Sequence, residues 1–322
     1  MSMVTDDTHA VRVPSRLGPG LGFAVLSAAS FGLSGPLARG LMDAGWSPGA
    51  AVTVRIVLAT VVLVPPALVS LAGRWWLLRR NALTILLYGG LAVTGAQFAY
   101  FQAVSTMAVA VALLIEYTAP VAVICWLWLR HGQRPGRRTL AGAVVAAAGL
   151  VLVLDVLSGG SVNLAGVLWA LGAMTGAATY FVISADEGNG LPPLVLAAGG
   201  LVTGAVLLLA LGAVGLVPMR ATTHPVVYAD HTVVWWLPLL GLGLVTAALS
   251  YTTGIAAGRR LGSRLASFVA LMEVLAALLF AWLLVGQMPH LLQLVGGIVV
   301  LAGVVLVKLG EPRVADEPIE LP

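Results

Sequence analysis

Two carboxylates stand where the sequence makes charge costly. Glu116 lies in the run Ala112-Leu-Leu-Ile-Glu-Tyr-Thr-Ala-Pro120, one helical turn before the proline, and Glu273 lies in a second apolar run. A charged side chain near the centre of a bilayer span costs roughly 2.5–3.5 kcal/mol on insertion scales. It persists where it faces a bundle interior, a partner charge or a water-filled cavity. Pro120 removes a backbone donor at the same level and loosens its helix. The third charge well inside an apolar segment is Arg55.

One arginine cannot neutralise two carboxylates. If all three face one cavity, one carboxylate is protonated, hydrated or paired with a bound cation. That chemistry suits proton handling or the capture of a cationic substrate group, with Arg55 as counter-ion or as receptor for a substrate carboxylate. A buried salt bridge that only ties two helices together is the plain alternative. Arg55, about five residues into its segment, can equally snorkel outward. Gln97, Tyr100, Tyr117 and Tyr251 could line the same cavity with hydrogen-bonding groups, although each alone suits an ordinary interhelical contact. Pro120 fits a hinge or a simple bend.

These residues need a membrane scaffold, and the composition supplies one. Of 322 residues, 60% are hydrophobic and 9% charged, where a soluble domain carries about 25% charged residues. Mean hydropathy is +1.01. Apolar segments of spanning length fall at about 20–41, 49–72, 82–104, 107–129, 138–156, 164–184, 193–216, 232–257, 264–285 and 290–309, each near the ~20 residues a bilayer needs. The fold class expected is an all-α integral membrane protein with ten transmembrane helices. The first segment is too long for a signal-peptide core and reads as an uncleaved span.

Charge orients the chain. With the N-terminus inside, the inner segments hold fourteen Lys and Arg residues, among them Arg74, Arg79, Arg80, Arg130, Arg134, Arg137, Arg138, Arg259, Arg260 and Arg264. The outer segments hold Arg39 and Arg220 only. The positive-inside rule then places both termini in the cytoplasm. Trp46, Trp75, Trp76, Trp235, Trp236 and Trp282 fall near segment ends, as interfacial anchors do. The net charge of +4 is distributed as membrane topology rather than as a nucleic-acid face.

The two halves are related. At an offset of 154, Trp128 falls on Trp282, Gly132-Gln133 on Gly286-Gln287, Pro135 on Pro289, Gly142 on Gly296 and Gly149 on Gly303. Earlier in each half the offset is 144, with Gly32 on Gly176 and Pro48 on Pro192, so about ten residues are inserted before the eighth segment. Five spans per repeat is an odd number, so the copies must be inverted. Their loops agree, because each arginine-rich loop corresponds to one without arginine. Inverted repeats around a midplane site are a transporter architecture. The organisation expected is a cytoplasmic tail over 1–19, repeat one over 20–156, a linker over 157–163, repeat two over 164–309 and a second cytoplasmic tail over 310–322.

Several functions are set aside. The only lysine is Lys308, with no phosphate-binding loop before it, which excludes a P-loop ATPase. The five histidines fall outside the expected spans, and a single cysteine, Cys125, offers no cluster for zinc. No metal, no cofactor and no enzyme activity is expected.

The stretch Ala110 to Pro120, the second-half counterpart from Tyr251 through Arg259-Arg260-Leu261-Gly262 to Met272-Glu273-Val274, and Ser47-Pro48 with Arg55 resemble the ten-helix EamA branch of the drug/metabolite transporter superfamily. The resemblance spans about residues 20–309. Glu116 to Pro120 looks like the threonine/homoserine type of amino-acid exporter, and Glu273 like the glutamate of its ninth helix. Two departures stand out: Gln133 and Gln287 replace a common glutamate, and Val274 replaces a proline. The second leaves open whether repeat two has a matching helix break. The resemblance implies export of a small polar metabolite across the cell membrane by alternating access, driven by an ion gradient. The partners implied are a small-molecule substrate, the lipid bilayer and protons or another coupling ion. No nucleic acid is expected, and a homodimer is left open. The alternatives are a flippase for a lipid-linked or phosphorylated sugar, or a non-transporting assembly protein.

Overall fold

A computed structural model describes residues 17–106, 115–153, 164–229, 231–286 and 288–310. Residues 1–16 and 311–322 of the expected tails, the start of the fourth segment, residues 154–163 with the linker, Asp230 and Gln287 lie outside the described residues. Ten helical spans are described. In chain order they are α1 (Leu17–Asp43), α2 (Pro48–Leu71), α3 (82–106), α4 (115–131), α5 (Arg137–Val153), α6 (Leu164–Ala185), α7 (Pro193–Ala213), α8 (236–261), α9 (263–285) and α10 (Leu291–Gly310). Seven apolar helical stretches are long enough by themselves to cross a membrane, one of them running from Trp236 to Val269 through a kink at Gly262. The protein is an all-α membrane protein built as two five-helix repeats.

The repeat relation seen in the sequence reappears as paired packing. α1 packs on α8 and α9, and α6 packs on the corresponding α3 and α4. α2 meets α7, and α5 meets α10, so these like helices pair with each other. In lipid, helices associate through close van der Waals fit rather than through exclusion of water. The α5–α10 seam brings backbone close to backbone. A Cβ on Gly149 would stand 2.5 Å from the Val300 nitrogen, and one on Gly303 would stand 2.5 Å from the Ala146 nitrogen.

Two π-helical stretches interrupt the middle spans, Tyr88–Gly95 in α3 and Gly241–Leu249 in α8. At the repeat offset of 154, residues 88–95 fall on 242–249. π-Helix accounts for well under 1% of residues in proteins, so its recurrence at equivalent positions is a property of the repeat. α7 packs against the first stretch and α2 against the second.

The ten-residue insertion forms the one described β-structure. Strands β1 (Val226–Tyr228) and β2 (His231–Val233) pair antiparallel. This hairpin, with residues 217–225 before it, closes over the α1–α2 turn. Ser47 Oγ donates to the Pro218 carbonyl at 2.7 Å and accepts from the Arg220 amide at 2.9 Å. Trp46 Nε1 donates to the Thr222 carbonyl at 2.9 Å. The Tyr228 hydroxyl donates to the Leu37 carbonyl at 2.8 Å. Trp46 is therefore no lipid anchor: it is 6% exposed and stacks on Trp235 at 6.2 Å.

Candidate functional site

Both helices that carry the glutamates are broken. In α4 the helix stops at Glu116, turns at Tyr117–Thr118 and restarts at Ala119. Thr118 supplies the local bonds that the turn needs, its amide and hydroxyl both donating to the Ile115 carbonyl, at 3.1 and 2.6 Å. Pro120 occupies the first turn of the restarted helix, where a missing N–H is one of the groups that would be unpaired anyway.

In α9 the helix turns at Ala270–Leu271 and restarts at Met272. The Leu271 amide donates to Phe268 at 3.1 Å and the Glu273 amide to Ala270 at 2.8 Å. The second repeat thus has a matching break without proline, settling what Val274 had left open. The two breaks fall within one residue of equivalence. Glu116 immediately precedes its break, whereas Glu273 follows its own in the first turn of the restarted helix. A carboxylate in a first helical turn meets exposed N–H groups and is favoured there.

Arg55 does not snorkel. It is 8% exposed, and its guanidinium points into the bundle. Nη2 donates to the Thr246 carbonyl in the π stretch of α8, at 2.5 Å, and Nη1 donates to Gln97 Oε1 at 3.4 Å. The Phe31 ring lies 5.8 Å from the guanidinium carbon. Nε is buried with no acceptor among the described residues. Hydrogen bonds from a charged group contribute about 1.5–3 kcal/mol each, comparable to the insertion cost of the charge, so Arg55 is held without a carboxylate partner. Neither Glu116 nor Glu273 comes within ion-pair distance of it among the described residues, although Glu273 lies in its field. The plain salt bridge is not what these residues form.

The remaining polar candidates converge on the same centre. Tyr117 and Glu116 both lie within electrostatic reach of the Glu273 carboxylate. Tyr100 lies in the field of both carboxylates. Gln97 Nε2 donates to the Tyr251 hydroxyl at 3.5 Å. Glu116, Tyr117 and Glu273 are each partly accessible, unlike Arg55 and Tyr251. Every residue the sequence singled out is therefore brought into one neighbourhood by α2, α3, α4, α8 and α9.

The sequence reading missed an aromatic wall. Phe31 of α1 packs edge-on to Tyr251 at 5.2 Å, Tyr180 of α6 to Tyr251 at 5.8 Å, and Tyr88 of α3 sits 5.9 Å from Tyr180. Glycine spacing carried the signal. Gly32, next to Phe31 and matched by Gly176, lets α1 approach the Glu273 carbonyl, which a Cβ there would meet at 2.8 Å. Among the described residues there is no cluster of His, Cys, Asp and Glu that could hold a metal.

Comparison with known proteins gives a consistent picture. The model of the EamA-like transporter family matches residues 18–155 and 164–309. The threonine/homoserine exporter RhtA of Salmonella typhimurium (strain SL1344) is 26% identical over 258 residues, 78% of each chain. The uncharacterized transporter YdfC of Bacillus subtilis (strain 168) is 27% identical over 203 residues, 62% of each chain. A protein crystal structure superposes with a TM-score of 0.72 at 20% identity, covering 92% of this chain and 98% of the other, and shows the shared fold.

Proposed function

Because this chain belongs to the EamA-like transporter family, and is thus a multi-pass membrane transporter of small molecules, we propose that it exports an amino acid or related zwitterion across the cell membrane by alternating access. The arginine-rich end faces the cytoplasm in this reading, as the charge bias requires. The observation that carries it is the pair of glutamates, Glu116 and Glu273, at two broken helices, with Arg55 held apart from both. Glu273 receives the ammonium group of the metabolite. Glu116 exchanges a proton as the cavity alternates, which couples export to the proton gradient. Arg55, held by Thr246 and Gln97, supplies the positive field of the centre from behind. The similarity to a threonine/homoserine exporter supports this substrate class.

Counterflow in proteoliposomes tests the reading. Preloaded threonine or homoserine should accelerate uptake of the labelled amino acid in the wild type, as a carrier requires and a channel does not. Glu116→Gln should keep counterflow while losing its dependence on a pH gradient, and Glu273→Gln should lose both. Acceleration by phosphorylated sugars alone would overturn the amino-acid reading in favour of a flippase.

A further inference from the structure

One ring of the aromatic wall faces the centre. On α1, Phe31 stands three, four and seven residues after Ala28, Ser27 and Ala24, the spacings of a single helix face. All three are buried, so this is the inward stripe of α1. Phe31 itself stays partly accessible, and the surface that it leaves open lies on the interior side rather than towards lipid. Two contacts fix its place. Its neighbour Gly32 lies against the Glu273 backbone, where a Cβ would meet the carbonyl oxygen at 2.8 Å. Its ring centroid is 5.8 Å from the Arg55 guanidinium carbon. Phe31 thus stands beside both the glutamate and the arginine of the proposed site.

The rings behind Phe31 have no room to retreat. Tyr251 meets it edge-on at 5.2 Å and Tyr180 at 6.3 Å. Tyr251 is 4% exposed, Tyr180 9%, and Tyr88 beyond them 0%. The Tyr180 hydroxyl sits in a notch at Gly254 of α8, and the Tyr88 ring in one at Gly200 of α7. Both are seated so closely that a Cβ on either glycine would overlap them. Gln97 holds the Tyr251 hydroxyl from a third side. Interiors packed in this way yield little, so the wall is a fixed boundary.

We propose that Phe31 sets the upper size of the metabolite's side chain, so that the centre takes short amino acids and rejects longer aliphatic and aromatic ones. The assignment rests on the amino-acid exporter reading and deepens it, because it names which amino acids the same site takes. With the ammonium at Glu273 and the carboxylate turned towards the field of Arg55, a side chain rising from between the two charges meets the Phe31 ring. That of threonine ends in front of it. Leucine or phenylalanine would have to drive the ring into Tyr251 and Tyr180, and overpacking of that kind is costly.

The test is counterflow by the full-length protein in proteoliposomes, with threonine, leucine and phenylalanine compared as substrates. The wild type should accept threonine and refuse phenylalanine. Phe31→Ala should raise the leucine-to-threonine ratio of kcat/KM about tenfold or more and admit phenylalanine. Phe31→Leu keeps an apolar side chain against the tyrosines, so it preserves the test if the alanine variant fails to fold. It should shift the ratio in the same direction by less. Phe181→Ala is the control, because it removes a ring that packs on Tyr180 at 5.1 Å from the same helix. Its ratio should match the wild type. Wild-type counterflow as fast with phenylalanine as with threonine would overturn the size limit. So would an unchanged ratio in the Phe31 variants, or an equal rise in Phe181→Ala, which would trace the change to a loosened wall. Absence of counterflow with any amino acid in the wild type would instead overturn the exporter reading itself.

Discussion

Gln97 donates its side-chain amide to the Tyr251 hydroxyl at 3.5 Å, and the two residues are repeat equivalents, separated by 154 positions. The contact therefore joins the copies across their relating axis, at the level where Arg55 also binds Gln97. Tyr251→Phe removes the acceptor and should cost about 1 kcal/mol of stability. Gln97→Leu alone should cost more, because it also strips a partner from Arg55. The double variant should fall short of the sum of the two, with a coupling of about 0.5–1 kcal/mol in thermal unfolding. Strict additivity would show that the contact contributes nothing.

Arg55→Lys should be far from conservative. Lysine offers a point charge without the guanidinium fork, so it cannot serve Thr246 and Gln97 from the same position. Amino-acid counterflow should fall at least tenfold while membrane insertion, followed by yield and monodispersity, persists. Wild-type rates would show that only the charge matters.

Pro120→Ala should change little. The α4 break is made by Thr118 and its bonds to Ile115, and α9 breaks at Ala270–Leu271 with no proline. Counterflow within twofold of wild type is expected, whereas Thr118→Val should reduce it more. A large loss on Pro120→Ala would restore the proline as the origin of the break.

Gly149→Val should destabilise the α5–α10 seam. The added side chain meets backbone at 2.5 Å, and such overpacking typically costs about 1–3 kcal/mol. Gly136→Val, where an added Cβ would meet its nearest atoms only at 3.9 and 4.0 Å, is the control. Unfolding temperatures in one detergent check both.

Burial pushes the Tyr228 phenol above its ordinary value, which lies near pH 10. With the folded value raised above the unfolded one, its contribution is fully present below about pH 10 and is lost as pH rises further. The gap in unfolding temperature between wild type and Tyr228→Phe should therefore stay constant below about pH 10 and shrink as pH rises above it. A constant gap would mean the hairpin does not depend on the neutral phenol.

Much of this was legible in the sequence because membranes impose strict rules. Span length, arginine placement and the Gly142/Gly149 repeat spacing reflect bilayer thickness, insertion and close packing, each of which acts locally along the chain. Intramembrane charge picked out Glu116, Glu273 and Arg55 for the same reason. What stayed hidden depends on partners distant in sequence. Arg55 near a helix end has the same local signature whether it snorkels or turns inward, and only the Thr246 carbonyl decides. Trp46 looked like a lipid anchor because the insertion that buries it lies some 170 residues away. The α9 break has no proline to announce it, and the π stretches carry no residue pattern at all.

Those π stretches also constrain how the chain can change. A π turn bonds residue i to i+5 and so holds a surplus residue compared with an α turn. Deleting one residue from Tyr88–Gly95 would let the stretch close as ordinary α-helix, with Gln97 and Tyr100 still facing Thr246 and Tyr251. The same deletion in an α-helical part of the span would turn everything beyond it by about 100°. The π stretch is thus the part of each middle span whose length can change without moving the centre.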